Sequence, residues 1–273
     1  MEEVREAIGI DKVDMCGNVI FIEEQHNADA NFVLHAITSH CRDTNKIVCF
    51  ALFHNTFGHF HNVGMKLGYN LRKELNSSVR VIEPLKIISK NIHRENKAYA
   101  APQVTDNKLP EFDIKNQSSH LVKQLAQVIK DECISMKKGL INQKVYVIID
   151  DLSHLFDLGL SFQDIWLFIR YLRSFVNFEP HLTLCIASHV YKAAQEVCHP
   201  NITAICLRHF ADLVINVQPL ETGFSKNVSG KMIVNWKSQQ QRLKFKWSEE
   251  MIYLFKLLDR QVKLFAPGSS HIM

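Results

Sequence analysis

Two carboxylates stand at the ends of apolar runs, where they could take part in phosphate chemistry. Asp150 follows residues 145–149, and Glu83 follows residues 79–82. In enzymes that hydrolyse nucleoside triphosphates, an aspartate at the end of such a strand holds the magnesium ion, and a second carboxylate can activate the attacking water. The simpler alternative for Asp150 is a loop or helix cap, as acidic residues at strand ends often form. For Glu83 it is a relic of such a site or a surface acid.

Hydrolysis of this kind also needs a phosphate-binding loop, and the segment where it should lie lacks the required residues. Such a loop reads Gly-x-x-x-x-Gly-Lys-[Ser/Thr], because glycines let backbone amides surround the phosphates while the lysine neutralises them and the hydroxyl binds magnesium. Residues 24–30 instead read Glu-Gln-His-Asn-Ala-Asp-Ala. Two carboxylates stand where phosphates would bind. We therefore expect no nucleotide or other cofactor, no catalytic residue, and only a degenerate Walker B aspartate at Asp150.

Histidines provide a second possible chemistry. His54, His59 and His61 have the spacing His-x4-His-x-His, which could bind zinc. Zinc sites with close ligand spacing usually add cysteine or acidic ligands, and none is near in the sequence, so we expect no metal site. Ser188 and His189 are adjacent, but no Gly-x-Ser-x-Gly motif surrounds them. The sequence therefore does not favour a serine hydrolase.

A basic and apolar alternation marks residues 242–247. In a strand, side chains point alternately to opposite faces, so Arg242, Lys244 and Lys246 would share one face. Lys231 begins the preceding alternating segment and would extend this cationic surface. Such a face could bind phosphates or an acidic partner. The alternative is a solvated edge hairpin, on which lysines prevent pairing with other sheets.

Apolar residues lie nearly all round the predicted helix 161–177. A helix outside a single sheet normally buries one apolar stripe. This helix is therefore either covered on further sides within the domain or in contact with another subunit. We expect a subunit interface, formed by Trp166, Phe168, Ile169 and Leu172.

The elements that must position these residues follow a clear order. Five nearly continuous apolar runs alternate with helical patterns up to about residue 200, which is typical of parallel strands covered on both faces. After residue 210, short alternating segments predict an antiparallel meander that extends the same sheet. The predicted fold class is α/β, with a RecA-like, mostly parallel central sheet flanked by helices. The predicted strands are 18–23, 46–52, 79–82, 145–151 and 182–188, then 213–217, 231–237, 242–247 and 251–255.

Length and composition agree with a globular protein. The 273 residues are 47% hydrophobic, and the net charge of +4 is too small to indicate nucleic-acid binding by itself. There is no run of 18 apolar residues, and the charged N-terminus is not typical of a secretory signal. We predict a single RecA-like domain over residues 1–273, lacking a Walker A loop. It has an N-terminal segment at 1–16 and a long polar surface loop at 89–118.

Four stretches resemble the Elongator complex protein 6 family, in the same order along the chain. Residues 56–71 are similar to the family pattern after the second strand, and residues 148–159 contain an Asp-Asp-Leu-Ser motif. Thr222-Gly223-Phe224, with Gly230 before a strand, resembles the family's meander, and residues 265–268 resemble its C-terminal end. The resemblance spans most of the chain but does not cover the 89–118 loop.

This resemblance implies a RecA-like fold without working Walker motifs. It also implies a heterohexameric ring with the fourth and fifth Elongator subunits, which binds tRNA and docks on the catalytic part of the complex. The implied role is support of wobble-uridine modification of tRNA, in the cytoplasm and also the nucleus. The resemblance gives no catalytic residue, cofactor or membrane contact. The basic face of Lys231, Arg242, Lys244 and Lys246 would then be a candidate contact for tRNA or an acidic partner.

Two other functions stay open on the sequence. The chain could be a divergent ATPase subunit that uses Asp150 and Glu83 with a phosphate site completed by a neighbour. It could also be a RecA-like adaptor of a recombination-mediator complex, binding DNA or protein. Only the family motifs distinguish this adaptor from an Elongator subunit.

Overall fold

A nine-stranded sheet forms the centre of the protein in a computed structural model of the chain, which describes residues 1–87, 118–137, 142–191, 198–221, 223 and 225–266. The strand order is β3-β2-β4-β5-β1-β6-β7-β8-β9. The predicted 89–118 loop lies outside these residues except for its last one. The strands are β1 Val19–Gln25, β2 Ile47–Ala51, β3 Val79–Ile82, β4 Val145–Ile149, β5 Leu182–Val190, β6 Leu213–Gln218, β7 Gly230–Trp236, β8 Met251–Leu257 and β9 Val262–Phe265.

Helices cover both faces of this sheet. One short 3₁₀ turn, Leu152–Leu155, follows β4. No helix among the described residues is both long and apolar enough to cross a membrane. The helices are α1 Glu2–Ile8, α2 Asn31–Asp43, α3 Phe57–Lys66, α4 Leu71–Glu74, α5 Ser118–Met136, α6 Phe162–Phe178, α7 His199–Phe210 and α8 Gln239–Phe245.

The parallel half of the sheet is apolar on both sides because both sides are covered. Strands β3, β2, β4, β5, β1 and β6 run parallel to one another. Along β1, Val19 and Phe21 belong to one hydrophobic core, while Ile20 and Ile22 belong to the core on the opposite face. Since alternate residues of a strand point to opposite faces, a strand buried on both sides has no polar position to alternate with.

The antiparallel half confirms the predicted meander, because β6, β7, β8 and β9 pair in sequence order. Its buried anchor is Trp236, whose Nε1 donates a hydrogen bond to the backbone oxygen of Ile8 at 2.9 Å. The Trp236 ring also stacks on Trp247, with centroids 5.3 Å apart. These contacts attach the N-terminal helix to the meander, and the predicted α/β, RecA-like fold class holds for the described residues.

One predicted strand of the meander is wrong. Residues 242–247 do not pair with β7. Most of them lie in helix α8, and the fourth strand of the meander is β9. Ser238 caps this helix by accepting the backbone N–H of Gln241 at 3.3 Å, and Lys246 ends it in the left-handed conformation with φ 58°. A cap residue followed by three glutamines, an arginine and a leucine favours a helix, and this local preference outweighed the alternation of basic and apolar residues.

The predicted subunit interface on helix 161–177 is also corrected. Phe168, Ile169 and Leu172 are at most 1% exposed and belong to the chain's own core. Helix α6 contacts α5 on one side and α7 on the other, so its flanks are covered as well as its sheet-facing stripe. Trp166 is partly buried and packs against Phe210, with ring centroids 6.0 Å apart. The alternative, additional coverage within the domain, therefore explains this apolar helix.

Candidate functional site

Polar side chains gather where strands β1, β4 and β5 end. The carboxyl ends of neighbouring parallel strands meet at one edge of the sheet, and α/β proteins bind their ligands there. Glu24 of β1 is in register with His189 of β5, and Asp150 and Asp151 directly follow β4. We call Glu23, Glu24, Asp150, Asp151 and His189 the strand-end site.

Glu24 occupies the place where a nucleotide-binding protein holds phosphate. In that class of protein the loop after the first strand leads into a helix whose N-terminal amides bind the anion. Here Glu24 Oε2 accepts the backbone N–H of Ala30 at 3.0 Å, and Ala30 is the N-cap residue of α2. A carboxylate of the chain itself therefore binds an amide that would otherwise face a phosphate.

His189 connects this carboxylate with a second one. Its Nε2 lies 2.8 Å from Glu24 Oε1, and its Nδ1 makes a short hydrogen bond with Asp151 Oδ2. The hydrogen bonds to Asp151 and then to Glu24 raise the pKa of His189 to about 10, so the ring is charged at neutral pH. Burial alone would raise the pKa of Asp151, but the hydrogen bonds from His189 and Ser153 outweigh it, and that pKa lies below its usual value.

Glu23, next to Glu24, points to the other face of β1 and is fully buried. Arg208 of α7 binds it with two hydrogen bonds, of which the Nη2–Oε1 bond is 2.6 Å long. Glu23 raises the pKa of Arg208 further. This bidentate pair fixes α7 against the end of β1 and engages both carboxylate oxygens of Glu23.

Asp150 serves as a loop anchor. Its Oδ1 accepts the backbone N–H of Phe53 at 2.6 Å, and its Oδ2 accepts that of Asn55 at 2.6 Å. The N–H of His54 lies 3.2 Å from both oxygens. A carboxylate has about four lone-pair positions, and these contacts occupy them. Burial raises the pKa of Asp150 despite these bonds. The expected degenerate Walker B aspartate therefore holds the loop after β2, which was the simpler alternative.

Glu83 also has a structural contact. Its Oε1 accepts the backbone N–H of Phe57, the first residue of α3, at 3.1 Å and pairs with Lys86 Nζ at 2.7 Å. An acidic side chain at a helix N-terminus satisfies amides that lack a partner within the helix. The carboxylate thus caps α3, a role that neither sequence alternative for Glu83 had specified.

A cluster of histidines that the sequence did not reveal lies beside Asp151. The rings of His54 and His154 stack with centroids 4.5 Å apart. His154 Nε2 is 3.5 Å from Asp151 Oδ2, and His154 Nδ1 is 2.7 Å from Asp157 Oδ2. The donor atoms of His54, Asp151 and His154 all lie within 4.8 Å of one another, close enough for all three to reach one metal ion.

The histidine set chosen by spacing is a different one. His59 is exposed, and His61 is buried and stacks on Phe57. The useful signal was the regular spacing of Asp151, His154 and Asp157, each three residues from the next, in and around the 3₁₀ turn Leu152–Leu155. The contribution of His54 could not be seen in the sequence, because about 100 residues separate it from its partners.

The predicted basic face is not formed as expected. Arg242, Lys244 and Lys246 lie on or after helix α8 instead of one strand face, and Lys231 lies on β7. Arg242 Nη1 is 3.8 Å from Glu249 Oε1, and Lys231 Nζ is 3.8 Å from Glu221 Oε1. Lys244 and Lys246 are exposed. The four residues are therefore basic surface positions without the common face that alternation predicted.

The sequence comparisons agree on one family. The family model described as Elongation complex protein 6 matches residues 7–259. Elongator complex protein 6 of Rattus norvegicus is 26% identical over 254 residues, which cover 89% of this chain and 88% of the relative. The protein of that name from Homo sapiens is 25% identical with the same coverage. The one from Drosophila melanogaster is 24% identical and covers 96% of this chain and 95% of the relative.

Solved structures are similar in fold. An uncharacterized protein from Pyrococcus horikoshii, solved in complex with an unknown peptide, has a TM-score of 0.61 at 14% identity and covers 98% of both chains. A KaiC-like protein from Pyrococcus horikoshii has a TM-score of 0.56 at 14% identity, covering 92% of this chain and 90% of that one. At this identity the likeness shows the fold alone, and it confirms the RecA-like prediction.

Proposed function

The chain belongs to the Elongation complex protein 6 family, and on that premise we propose that it is a non-catalytic subunit of the Elongator accessory ring. In this proposal it forms a heterohexamer with the fourth and fifth Elongator subunits. The ring binds tRNA and docks on the catalytic part of Elongator, which modifies the wobble uridine. The predicted setting is the cytoplasm and also the nucleus.

The observation that carries the non-catalytic part is the position of Glu24. Its carboxylate accepts the N–H of Ala30 at the start of α2, and Asp29 stands beside it in the same loop. Two like charges about 4 Å apart repel by about 4 kcal/mol at an effective dielectric constant of about 20. His189 partly offsets the charge of Glu24. A nucleotide phosphate entering this loop would still meet the two carboxylates without the lysine that normally binds it.

The contacts of Asp150 and Glu83 support the same proposal. Asp150 binds backbone amides of residues 53–55, and Glu83 caps α3. A divergent ATPase would have to break these bonds before either carboxylate could hold magnesium or activate water. A recombination-mediator adaptor would also lack the phosphate loop, but family membership favours Elongator over that alternative.

The test is co-expression of this chain with the fourth and fifth Elongator subunits, followed by native mass measurement of the purified particle. We expect a particle that contains two copies of each subunit. The control omits this chain, and we expect the other two subunits then to form no particle of that mass. A monomer that binds neither subunit would contradict the proposal.

A further inference from the structure

Three side chains from two distant segments converge at the edge of the strand-end site. His54 lies in the loop after β2, Asp151 follows β4, and His154 lies on the 3₁₀ turn Leu152–Leu155. We propose that His54, Asp151 and His154 bind one divalent transition-metal ion of the zinc class through two imidazole nitrogens and one carboxylate oxygen.

The distances fit such an ion after a small movement of one side chain. Zinc binds nitrogen and carboxylate oxygen at about 2.0–2.2 Å, so two ligand atoms around a tetrahedral ion lie roughly 3.3 Å apart. His154 Nε2 and Asp151 Oδ2 are already 3.5 Å apart. The third donor lies within 4.8 Å of both, on His54. His54 is exposed, so its ring can rotate toward the ion without disturbing the core.

Each proposed ligand is also held by a neighbouring group. Asp157 Oδ2 is 2.7 Å from His154 Nδ1, which leaves Nε2 as the nitrogen facing Asp151. A carboxylate on the far nitrogen of a ligating histidine is the usual way to orient the ring and make it a better ligand. The Oδ1 atom of Asp151 accepts the N–H and the hydroxyl of Ser153 at 2.9 and 2.7 Å, which leaves Oδ2 toward His154 and toward His189, whose Nδ1 hydrogen-bonds it. The backbone N–H of His54 is fixed on Asp150.

Carboxylates surround the cluster, and one of them is already paired with a charged histidine. Asp150, Asp151 and Asp157 lie within one short segment. Within the described part of the chain, Asp157 pairs with His154, while Asp151 Oδ2 pairs with His154 and with the charged ring of His189, so a metal ion would share or displace that hydrogen bond from His189. Three protein ligands leave a fourth position for water or for a group from another molecule.

Zinc binding to the full chain without an affinity tag tests the proposal. The protein is treated with a chelator, dialysed, and titrated with Zn²⁺ against a chromophoric competitor. We expect one equivalent to bind. His54→Ala and His154→Ala should each weaken binding at least tenfold, since each removes one of three ligands. Asp157→Asn should weaken it by about tenfold, because loss of the orienting group typically reduces affinity by about 10- to 100-fold.

His59→Ala is the matched control. His59 is an exposed histidine five positions from His54 and outside the cluster, so its loss should leave the affinity unchanged. Titration with Co²⁺ gives a second readout, since nitrogen and oxygen ligands produce d–d bands without the thiolate charge-transfer band that the cysteines would give. Absence of saturable binding, a thiolate band, or equal affinity of wild type, His54→Ala and His154→Ala would overturn the proposal. None of these measurements involves the other Elongator subunits.

Discussion

At the scale of single residues, the end of β1 shows how two adjacent glutamates take different roles. Neighbouring side chains of a strand point to opposite faces. Glu23 therefore lies on the face covered by α7 and binds Arg208, while Glu24 faces the loop before α2 and binds the N–H of Ala30. One carboxylate fixes a helix, and the other fills the anion position of the loop.

The Glu23–Arg208 pair leads to a stability prediction. In Arg208→Met the buried Glu23 carboxyl group loses its partner, and breaking a buried pair in this way typically costs about 3–5 kcal/mol. We expect a loss of about 3 kcal/mol in the free energy of unfolding, measured by urea denaturation. Adding Glu23→Gln to this variant should recover part of the loss, because the unpaired carboxyl group is then removed.

Arg173→Met is the matched control. Arg173 Nη1 pairs with Asp212 Oδ2 at 3.5 Å, and both side chains are partly exposed. Exposed pairs contribute about 0–1 kcal/mol, so this variant should be nearly as stable as wild type. Equal losses for the two arginine variants would show that burial of Glu23 does not decide the effect.

At the scale of elements, helix α8 shows how one short sequence can suit two structures. Alternation of basic and apolar residues predicted a strand over residues 242–247, yet Ser238 starts a helix there and Lys246 ends it. A seven-residue helix gains little by itself. It is held by packing of the residues that follow it, because Trp247 stacks on Trp236 and on Phe245.

The C-terminal end of α8 leads to a prediction that distinguishes this helix from the strand predicted over residues 242–247. Lys246 has φ 58°, a conformation that costs a residue with a Cβ atom more than it costs glycine. Lys246→Gly should therefore leave stability unchanged or raise it by up to about 1 kcal/mol, as measured by thermal unfolding. In a strand the same change would be destabilising.

Lys244→Gly provides the comparison within the same helix. Position 244 is helical and exposed, and glycine inside a helix costs about 1 kcal/mol relative to a good helix former. We expect this variant to be less stable than Lys246→Gly. The reverse order would contradict the helix end at Lys246.

At the scale of the whole molecule, the sheet combines a parallel half that carries the strand-end site with an antiparallel half that carries basic surface residues. The parallel half is covered on both faces, so its polar groups are confined to the strand ends. Lys244 and Lys246 lie beyond β7, exposed on the meander side of the molecule. If the chain contacts tRNA within the proposed ring, these lysines are candidate phosphate contacts.

The salt dependence of tRNA binding by the assembled ring tests these lysines. Each phosphate contact adds roughly one unit to the slope of log K against log salt concentration. Replacing Lys244 and Lys246 by glutamate should therefore weaken binding and reduce the slope by up to about 2. Arg72→Glu with Lys73→Glu, two exposed basic residues on α4, makes the same charge change elsewhere and should leave the slope unchanged. An unchanged slope for the lysine variant would show that Lys244 and Lys246 do not contact tRNA phosphates.

The sequence by itself determined strands β1 to β8 in their order along the chain, but not β9, and it also determined the RecA-like class and the absence of a phosphate-binding loop. These features depend on local patterns, such as apolar runs and the residue types at 24–30, which a chain carries without reference to distant parts. Family membership could also be seen, because its motifs lie in order along most of the chain.

The tertiary structure decided which polar groups meet. Glu23 binds Arg208, which is 185 residues away in the sequence. Asp150 binds Phe53 across 97 residues, and Asp151 binds His189 across 38. No spacing rule relates such positions, because they are brought together by the parallel pairing of β1, β4 and β5 and the loops at their ends. The same reason explains the apolar α6, since its cover comes from two other helices whose packing the sequence of α6 does not contain.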